Sequence, residues 1–258
     1  MLLRRGFARR AKIPSMFPVV NVLDSREDDG MYKEFTKSFE FLNPQFMDSR
    51  RFIADAFVEH EAKAEDNPRF NEINYKELRE FAFVGRSNVG KSSLINCILG
   101  QKLMDANKRP GKTKQLHYVN LPYSNCYLVD CPGYGFARVD LKEKESWGKL
   151  MQNYIFHSKS LRRMMILIDA KVGFGAMDKM LCDLLDQKEV PYIFVLTKCD
   201  KINETRLKKS ILKLKKHPLS SSASPVIFMT SSLNFYGVNE LAAYISYIVS
   251  MEGSLIRG

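Results

Sequence analysis

The residues best suited to chemistry form one glycine-bearing run, which reads Gly-Arg-Ser-Asn-Val-Gly-Lys-Ser from Gly85 to Ser92. This run matches G-x-x-x-x-G-K-[ST] and lies between an apolar stretch typical of a strand and one typical of a helix. Glycines there let backbone N–H groups surround a phosphate chain, at the positive end of the helix. We expect Lys91 to reach the β- and γ-phosphates and the Ser92 hydroxyl to bind Mg²⁺. The residues predicted to contact the nucleotide are Gly85, Arg86, Ser87, Asn88, Val89, Gly90, Lys91, Ser92 and Ser93.

Two later segments supply further groups for the phosphates and the metal ion. Asp130-Cys-Pro-Gly133 begins with the last residue of the run "CYLVD", a predicted strand, and matches D-x-x-G. We expect Asp130 to hold Mg²⁺, directly or through water, and the Gly133 N–H to meet the γ-phosphate. Thr113 lies in the polar loop "KRPGKTKQ", where a threonine can close over Mg²⁺ when the γ-phosphate is present, although it is also compatible with an ordinary loop residue. The predicted catalytic groups are therefore Lys91, Thr113 and Gly133, and the predicted Mg²⁺ ligands are Ser92, Thr113 and Asp130.

A fourth segment predicts how a base is recognised. Thr197-Lys198-Cys199-Asp200 begins with the last residue of the run "YIFVLT", a predicted strand, and matches T-K-x-D. The Asp200 carboxylate can accept hydrogen bonds from N1–H and the 2-amino group of guanine, a pair of donors that adenine lacks. We expect the Lys198 stem to lie along the base, and the backbone N–H groups of Ser231 and Ser232, in "MTSSL", to meet guanine O6. The four segments together predict a P-loop GTPase with GTP and GDP as ligands and Mg²⁺ as cofactor.

Apolar runs that alternate with amphipathic stretches predict the elements that position these groups. From residue 79 onward they indicate an α/β fold with a mostly parallel six-stranded sheet, helices on both faces and the site at the carboxyl ends of the strands. We predict an N-terminal arm at 1–34, an extension at 35–78 with a helix near 48–64, a G domain at 79–250 and a tail at 251–258. The predicted helices of the G domain are the one after the P-loop and those near 142–157, 176–188, 203–216 and 238–250.

Charge and composition narrow the class of partner. The chain has 258 residues and a formal net charge of +11, and residues 79–258 contribute 27 Lys and Arg against 15 Asp and Glu. A domain this basic favours RNA as a partner, with a solvated surface as the alternative. No apolar run approaches the roughly 20 residues of a membrane helix, so we expect no stable membrane association. The five cysteines have no C-x-x-C pair, which favours packing roles over disulfides or zinc.

The segments also resemble the EngB family of P-loop GTPases. The blocks that carry the likeness span about 79–250, with a fainter match from about residue 35; they read "FAFVGRSNVGKSSLIN", "RPGKTK", "DCPGYGFARV", "ILIDAKVG", "LTKCDK" and "TSSL", with Trp147 between the third and fourth. The resemblance implies a role in assembly of the large ribosomal subunit, with an assembly intermediate, rRNA and ribosomal proteins as partners and a free protein that is monomeric. A GTP-dependent rRNA-binding scaffold with negligible turnover is the alternative. Lys114 in place of glutamine, Cys131 in place of leucine and Phe136 in place of tyrosine depart from the family pattern.

Two positions bear on the rate of hydrolysis. Many GTPases place a water-orienting glutamine directly after D-x-x-G, and this chain has Tyr134 there, so we predict a slow intrinsic rate that a partner raises. Asn88 resembles the asparagine through which related GTPases bind K⁺, and an asparagine that stabilises the turn is the equal alternative. The basic residues predicted to contact rRNA are Lys108, Arg109, Lys112 and Lys114 around the first switch, and Arg206, Lys208, Lys209, Lys213, Lys215 and Lys216 on one helix.

The N-terminal residues predict a location. Residues 1–23 contain four arginines and one lysine and no acidic residue, as in a mitochondrial targeting segment. A basic arm that touches RNA is the alternative, and both interpretations are compatible. Together with the family resemblance, this predicts a factor of the mitochondrial matrix, with a plastid or a bacterial-type cytoplasm as the alternative locations.

Overall fold

A computed structural model describes residues 20–22, 57–62, 79–104, 115–135, 141–215 and 220–255. Its strands, numbered in chain order, are β1 (Val20–Val22), β2 (Phe57–Ala62), β3 (Arg79–Gly85), β4 (Leu116–Leu121), β5 (Cys126–Asp130), β6 (Leu161–Asp169), β7 (Tyr192–Thr197) and β8 (Ala223–Met229). Its helices are α1 (Lys91–Leu99), α2 (Leu141–His157), α3 (Ala176–Gln187), α4 (Glu204–Lys215) and α5 (Val238–Leu255). No helix in these described ranges is long and apolar enough to cross a membrane.

The strands form one sheet in the order β1-β8-β7-β6-β3-β5-β4-β2. Strands β5, β3, β6, β7 and β8 run parallel, and β4 pairs antiparallel with β5. The predicted six-stranded, mostly parallel sheet is confirmed. It is extended at both edges, because β1 pairs antiparallel with β8 and β2 pairs antiparallel with β4.

The helix predicted near 48–64 is wrong over its last part, where the chain forms β2. The many charges in this segment favour a helix locally, but β4 offers an unpaired edge of backbone N–H and C=O groups. Pairing from Phe57 with Asn120 to Ala62 with Leu116 satisfies that edge, with an irregularity between Val58 and His60. Tertiary pairing thus overrides local propensity here.

Helices cover both faces of the sheet because the strands are apolar on both sides. On one face α1 and α5 pack against side chains such as Phe81 and Phe83 of β3. On the other face α2, α3 and α4 pack against the alternate positions, such as Ala82 and Val84. The central strands are thereby held in register, and their carboxyl ends bring the loops after β3, β5, β6, β7 and β8 to one edge of the sheet.

Candidate active site

The turn after β3 has the backbone shape that its glycines allow. A Cβ on Gly85 would lie 2.6 Å from the carbonyl oxygen of Leu167, so the strand end has no space for a side chain. Gly90 has φ 110°, which L-residues with side chains rarely adopt. Its carbonyl accepts the Leu94 N–H at 2.9 Å, so the turn runs directly into α1. The predicted phosphate loop therefore exists as a strand, turn and helix, with Lys91 buried at the start of the helix.

The D-x-x-G segment lies directly against this loop. Beyond the ends of β3 and β5 the Tyr134 N–H donates to the Gly85 carbonyl at 3.3 Å, and the Ser87 N–H donates to the Tyr134 carbonyl at 2.9 Å. A Cβ on Gly133 would lie 2.8 Å from Ser87 Oγ and 2.9 Å from Ser87 Cα. The structure thus joins two predicted site segments, 48 positions apart between Gly85 and Gly133, into one surface.

Two predicted metal ligands are already in contact. The Ser92 hydroxyl donates to Asp130 Oδ2 at 2.6 Å, and Asp130 is 3% exposed. Within the described part of the chain, Asp130 Oδ1 is buried without a hydrogen-bond partner. Burial of an ionised carboxylate is unfavourable unless a cation or a hydrogen-bond donor compensates it. The pair therefore fits a Mg²⁺ ion, with Asp130 and Ser92 as the residues that would hold it. When bound, that ion neutralises phosphate charge.

The T-K-x-D segment is tied to the phosphate loop by side-chain hydrogen bonds. The buried Thr197 hydroxyl donates to the Val89 carbonyl at 2.8 Å. Lys198, with φ 56°, turns the chain out of β7, and its ammonium donates to the Asn88 carbonyl and to Asp169 Oδ2, the latter at 2.7 Å. The Lys198 ammonium is therefore held from two directions, which restrains the stem expected along the base.

The carboxylate expected to read guanine is held by a neighbouring loop. The Ser231 hydroxyl donates to Asp200 Oδ1 at 2.6 Å, which leaves Oδ2 for a ligand. The Ser231 N–H donates to the Tyr236 carbonyl at 2.9 Å, so its predicted contact with guanine O6 is not available in this structure. This hydrogen bond closes the loop of residues 231–236. Ser231 instead orients Asp200, and Ser232 remains the candidate amide for O6.

The residue after D-x-x-G is buried and hydrogen-bonded within the fold. Tyr134 is 3% exposed, its hydroxyl donates to Asp178 Oδ1, and its ring packs on Trp147 with centroids 5.1 Å apart. Burial, and then the neighbouring Asp178 carboxylate, raise the pKa of Tyr134 well above its usual range. Burial also raises the pKa of Asp178. Tyr134 is thus a buried structural residue and does not supply a group to orient water.

Comparison with known proteins decides the family. A probable GTP-binding protein EngB from Granulibacter bethesdensis is 42% identical over 172 residues, which are 65% of this chain and 75% of that protein. The chain belongs to the EngB family. A probable GTP-binding protein EngB from Aquifex aeolicus is 37% identical over 149 residues, which are 57% of this chain and 81% of that protein. Residues 80–198 also match the family model described as 50S ribosome-binding GTPase. This EngB-family chain is therefore a GTPase with GTP and GDP as ligands.

Solved structures support the fold of this EngB domain. The crystal structure of a probable GTP-binding protein engB aligns with a TM-score of 0.53 and 23% identity, over 67% of this chain and 99% of that one. Era from Aquifex aeolicus, bound to GDP and AlF4⁻, aligns with a TM-score of 0.50 and 24% identity, over 66% of this chain and 56% of that one. Both likenesses concern the fold alone.

Some predicted positions of the EngB site lie outside the described residues. These are Thr113, and with it Lys108, Arg109, Lys112 and Lys114 of the first switch loop. Ser93 lies half-buried in the first turn of α1, and Asn88 is exposed with φ 61°.

Apolar residues at helical spacing in 203–216 predict that one face of α4 packs inward, and the structure confirms this. Leu207, Ile211 and Leu214 are buried against the sheet. Four of its predicted basic residues, Arg206, Lys208, Lys209 and Lys213, are exposed. Lys216 lies outside the described residues, and so does the side chain of Lys215.

Three residues contact the predicted site segments, and the sequence does not identify these contacts. Asp169 pairs with Lys198, Asp178 receives the Tyr134 hydroxyl, and Trp147 Nε1 donates to the Pro132 carbonyl at 2.9 Å. From the sequence, Trp147 is expected in the core and Asp169 in a structural contact at a strand end. The only local signal for Asp169 is its position at the carboxyl end of β6, the edge where ligands bind in such sheets.

Proposed function

We propose that this EngB-family GTPase acts as a switch in the assembly of the large ribosomal subunit. The observation that carries the proposal is the match of residues 80–198 to a family described by its binding to the 50S subunit. The partners proposed are an assembly intermediate of the large subunit, with its rRNA and ribosomal proteins, and the free protein is proposed to be a monomer. The net positive charge of residues 79–258 supports an RNA partner.

Helix α4 is the described surface that we propose for rRNA contact. Leu207, Ile211 and Leu214 of this helix face the core. Arg206, Lys209 and Lys213 are exposed on the same helix. Lys208 forms an i,i+4 pair with Glu204 at 3.1 Å and is therefore partly neutralised. Lys209 and Lys213 are themselves four residues apart and so lie on one side of the helix. Their spacing suits adjacent phosphates of an RNA backbone.

Charge reversal tests this contact. A double variant, Lys209→Glu with Lys213→Glu, is expected to bind large-subunit rRNA about tenfold more weakly and to reduce the slope of log affinity against log salt by about 1 to 2. The control is Lys149→Glu with Lys159→Glu, which makes the same charge change at exposed lysines on α2 and just before β6. Binding that is independent of salt, or an equal loss in both variants, would contradict the proposal.

We propose that intrinsic hydrolysis is slow and that the ribosomal partner raises it. The support is Tyr134, which is buried where other GTPases carry a water-orienting glutamine. Single-turnover hydrolysis with and without large-subunit particles tests this: stimulation by the particles supports the switch. Negligible turnover in both, combined with GTP-dependent binding to the particles, refutes the switch and favours a scaffold.

A K⁺ ion held by Asn88 is proposed to supply positive charge beside the phosphates. Asn88 is exposed at the phosphate loop, which supports access of an ion. The φ of 61° at this position accounts equally well for the presence of asparagine, because asparagine tolerates this backbone conformation better than most residues. Faster hydrolysis in potassium than in sodium buffer, lost in Asn88→Asp or Asn88→Ala, supports the ion; equal rates in both buffers contradict it.

We propose the mitochondrial matrix as the location. The support is the arginine-rich, acid-free composition of residues 1–23. A fusion of the full chain to a fluorescent protein is expected in mitochondria, and deletion of residues 1–23 is expected to leave it in the cytosol. Unchanged distribution after the deletion contradicts the proposal, and mass spectrometry of particles that copurify with the tagged chain identifies the ribosome concerned.

A further inference from the structure

Two side chains outside the nucleotide-binding motifs hold the residues on either side of Gly133. Trp147 Nε1, on α2, donates to the carbonyl oxygen of Pro132 at 2.9 Å. Asp178, in the first turn of α3, accepts the hydroxyl of Tyr134. We call Trp147 and Asp178, with these two contacts, the loop clamp.

The contact from Trp147 acts on one particular peptide group. The carbonyl of Pro132 and the N–H of Gly133 belong to the same peptide unit, which is trans and planar. Carbonyl and N–H of a trans peptide point in opposite directions. By holding the Pro132 oxygen toward α2, Trp147 fixes the direction of the Gly133 N–H, which is the donor expected to meet a γ-phosphate.

The contact from Asp178 limits movement on the other side of Gly133. Asp178 is 1% exposed, and its second oxygen accepts the Gly175 N–H at 2.7 Å, so its carboxylate cannot move independently of the start of α3. The Tyr134 ring is packed against Trp147, so both residues of the clamp contact Tyr134. On the P-loop side the same stretch is held by the hydrogen bond from the Ser87 N–H to the Tyr134 carbonyl.

We propose that Trp147 and Asp178 are positioning residues that orient the Gly133 amide for the γ-phosphate and thereby set the ratio of the affinities of this protein for GTP and GDP. The clamp orders the amide before the nucleotide arrives, so binding of GTP does not have to order it. GDP has no γ-phosphate and makes no use of this amide. The clamp therefore changes the affinity for GTP and leaves that for GDP unaltered. The inference rests on GTP binding and is independent of the ribosomal role.

The test compares affinities for GDP and for a non-hydrolysable GTP analogue in the full-length protein, at fixed Mg²⁺ and salt. Trp147→Phe keeps an aromatic ring beside Tyr134 and removes the N–H donor. We expect the analogue to bind about fivefold more weakly and GDP to stay within about twofold, as for the loss of one hydrogen bond that acts on one ligand. Tyr134→Phe, which removes only the hydroxyl that Asp178 holds, is expected to shift the ratio in the same direction.

The matched control is Tyr154→Phe. Tyr154 lies on the same helix as Trp147, is fully buried and donates its hydroxyl to Glu80 Oε2 at 2.7 Å. Glu80 lies near the amino end of β3, in register with Tyr127 of β5 and thus at the opposite end of these strands from the loop that contains Gly133. It is expected to lower thermal stability without changing the ratio of the two affinities. If Trp147→Phe and Tyr134→Phe both lower the affinities for GDP and the GTP analogue by the same factor, or change neither affinity, the proposal of the clamp is overturned. Failure of the unmodified protein to bind either nucleotide refutes the nucleotide site itself, which is a distinguishable result.

Discussion

The pairing of Asp169 with Lys198 leads to a prediction about guanine binding. Lys198 Nζ lies 2.7 Å from Asp169 Oδ2. The Lys198 side chain is 28% exposed and the Asp169 side chain is 15% exposed. Asp169 Oδ1 accepts the Lys171 N–H at 2.9 Å, so the carboxylate is itself held in place. In Asp169→Asn a neutral amide replaces the charged partner of the Lys198 ammonium, while the Asn88 carbonyl remains as its other acceptor. The Lys198 stem then loses part of the restraint that places it along the base.

The magnitude follows from the partial burial of the pair. A hydrogen bond to a charged group contributes about 1.5–3 kcal/mol when buried, and exposed ion pairs contribute about 0–1 kcal/mol. A pair that is largely but not fully buried falls between them, and we take about 1 kcal/mol for the part felt by the nucleotide. This corresponds to a weakening of GDP binding of about fivefold. Because Lys198 acts on the ring and not on the 2-amino group, IDP should weaken by the same factor.

The assay is equilibrium binding of GDP and IDP to the unmodified protein and two variants. Asp183→Asn is the matched control, because Asp183 and Lys179 form the same type of pair at 2.8 Å on the open surface of α3, with 48% and 56% exposure. We expect no change of affinity in that variant. The reasoning is refuted if Asp169→Asn binds GDP like the unmodified protein, or if the GDP to IDP ratio changes while the affinity for IDP does not.

Three further predictions concern the same region and the core beneath it. Ser231→Ala removes the donor to Asp200 Oδ1 and should lower the affinity for GDP about fivefold. The affinity for IDP should fall less, so the ratio of the two affinities should decrease. Competition binding measures this ratio, and an unchanged ratio contradicts the prediction. Gly133→Ala places a methyl group 2.8 Å from Ser87 Oγ, so denaturant unfolding should show a loss of about 1–3 kcal/mol, and an unchanged midpoint argues against the close approach. Burial raises the pKa of Cys199 from 9.0 to about 12, so the native state retains a proton that the unfolded chain loses. The free energy of unfolding should therefore fall as pH rises from 9 toward 12, by about 1.4 kcal/mol per pH unit at most, and Cys199→Ala should lack that part of the slope.

The sequence alone determined the features that depend on neighbouring residues. The P-loop is a contiguous run, and the need for glycine at Gly90 follows from its backbone φ, so pattern and spacing sufficed. The same holds for the strands and helices from residue 79 onward, because their apolar periodicity records which side faces the sheet. The helices near 142–157, 176–188 and 203–216 are found almost at their predicted bounds.

The tertiary structure decided whatever depends on partners distant in the sequence. The helix expected near 48–64 gives way to β2 because the edge of β4 is available, a fact that no local pattern records. The Ser231 amide is used by Tyr236 through a loop closure that depends on backbone direction.

Residues that act through others were also decided by the fold. Asp169 meets Lys198 across 29 positions, Tyr134 meets Asp178 across 44, and Trp147 reaches Pro132 across 15. A motif identifies the groups that touch the ligand, because chemistry restricts their type and spacing. The groups that hold those residues in place are fixed only by packing, since many residue types at many positions can supply a hydrogen bond once the chain has folded.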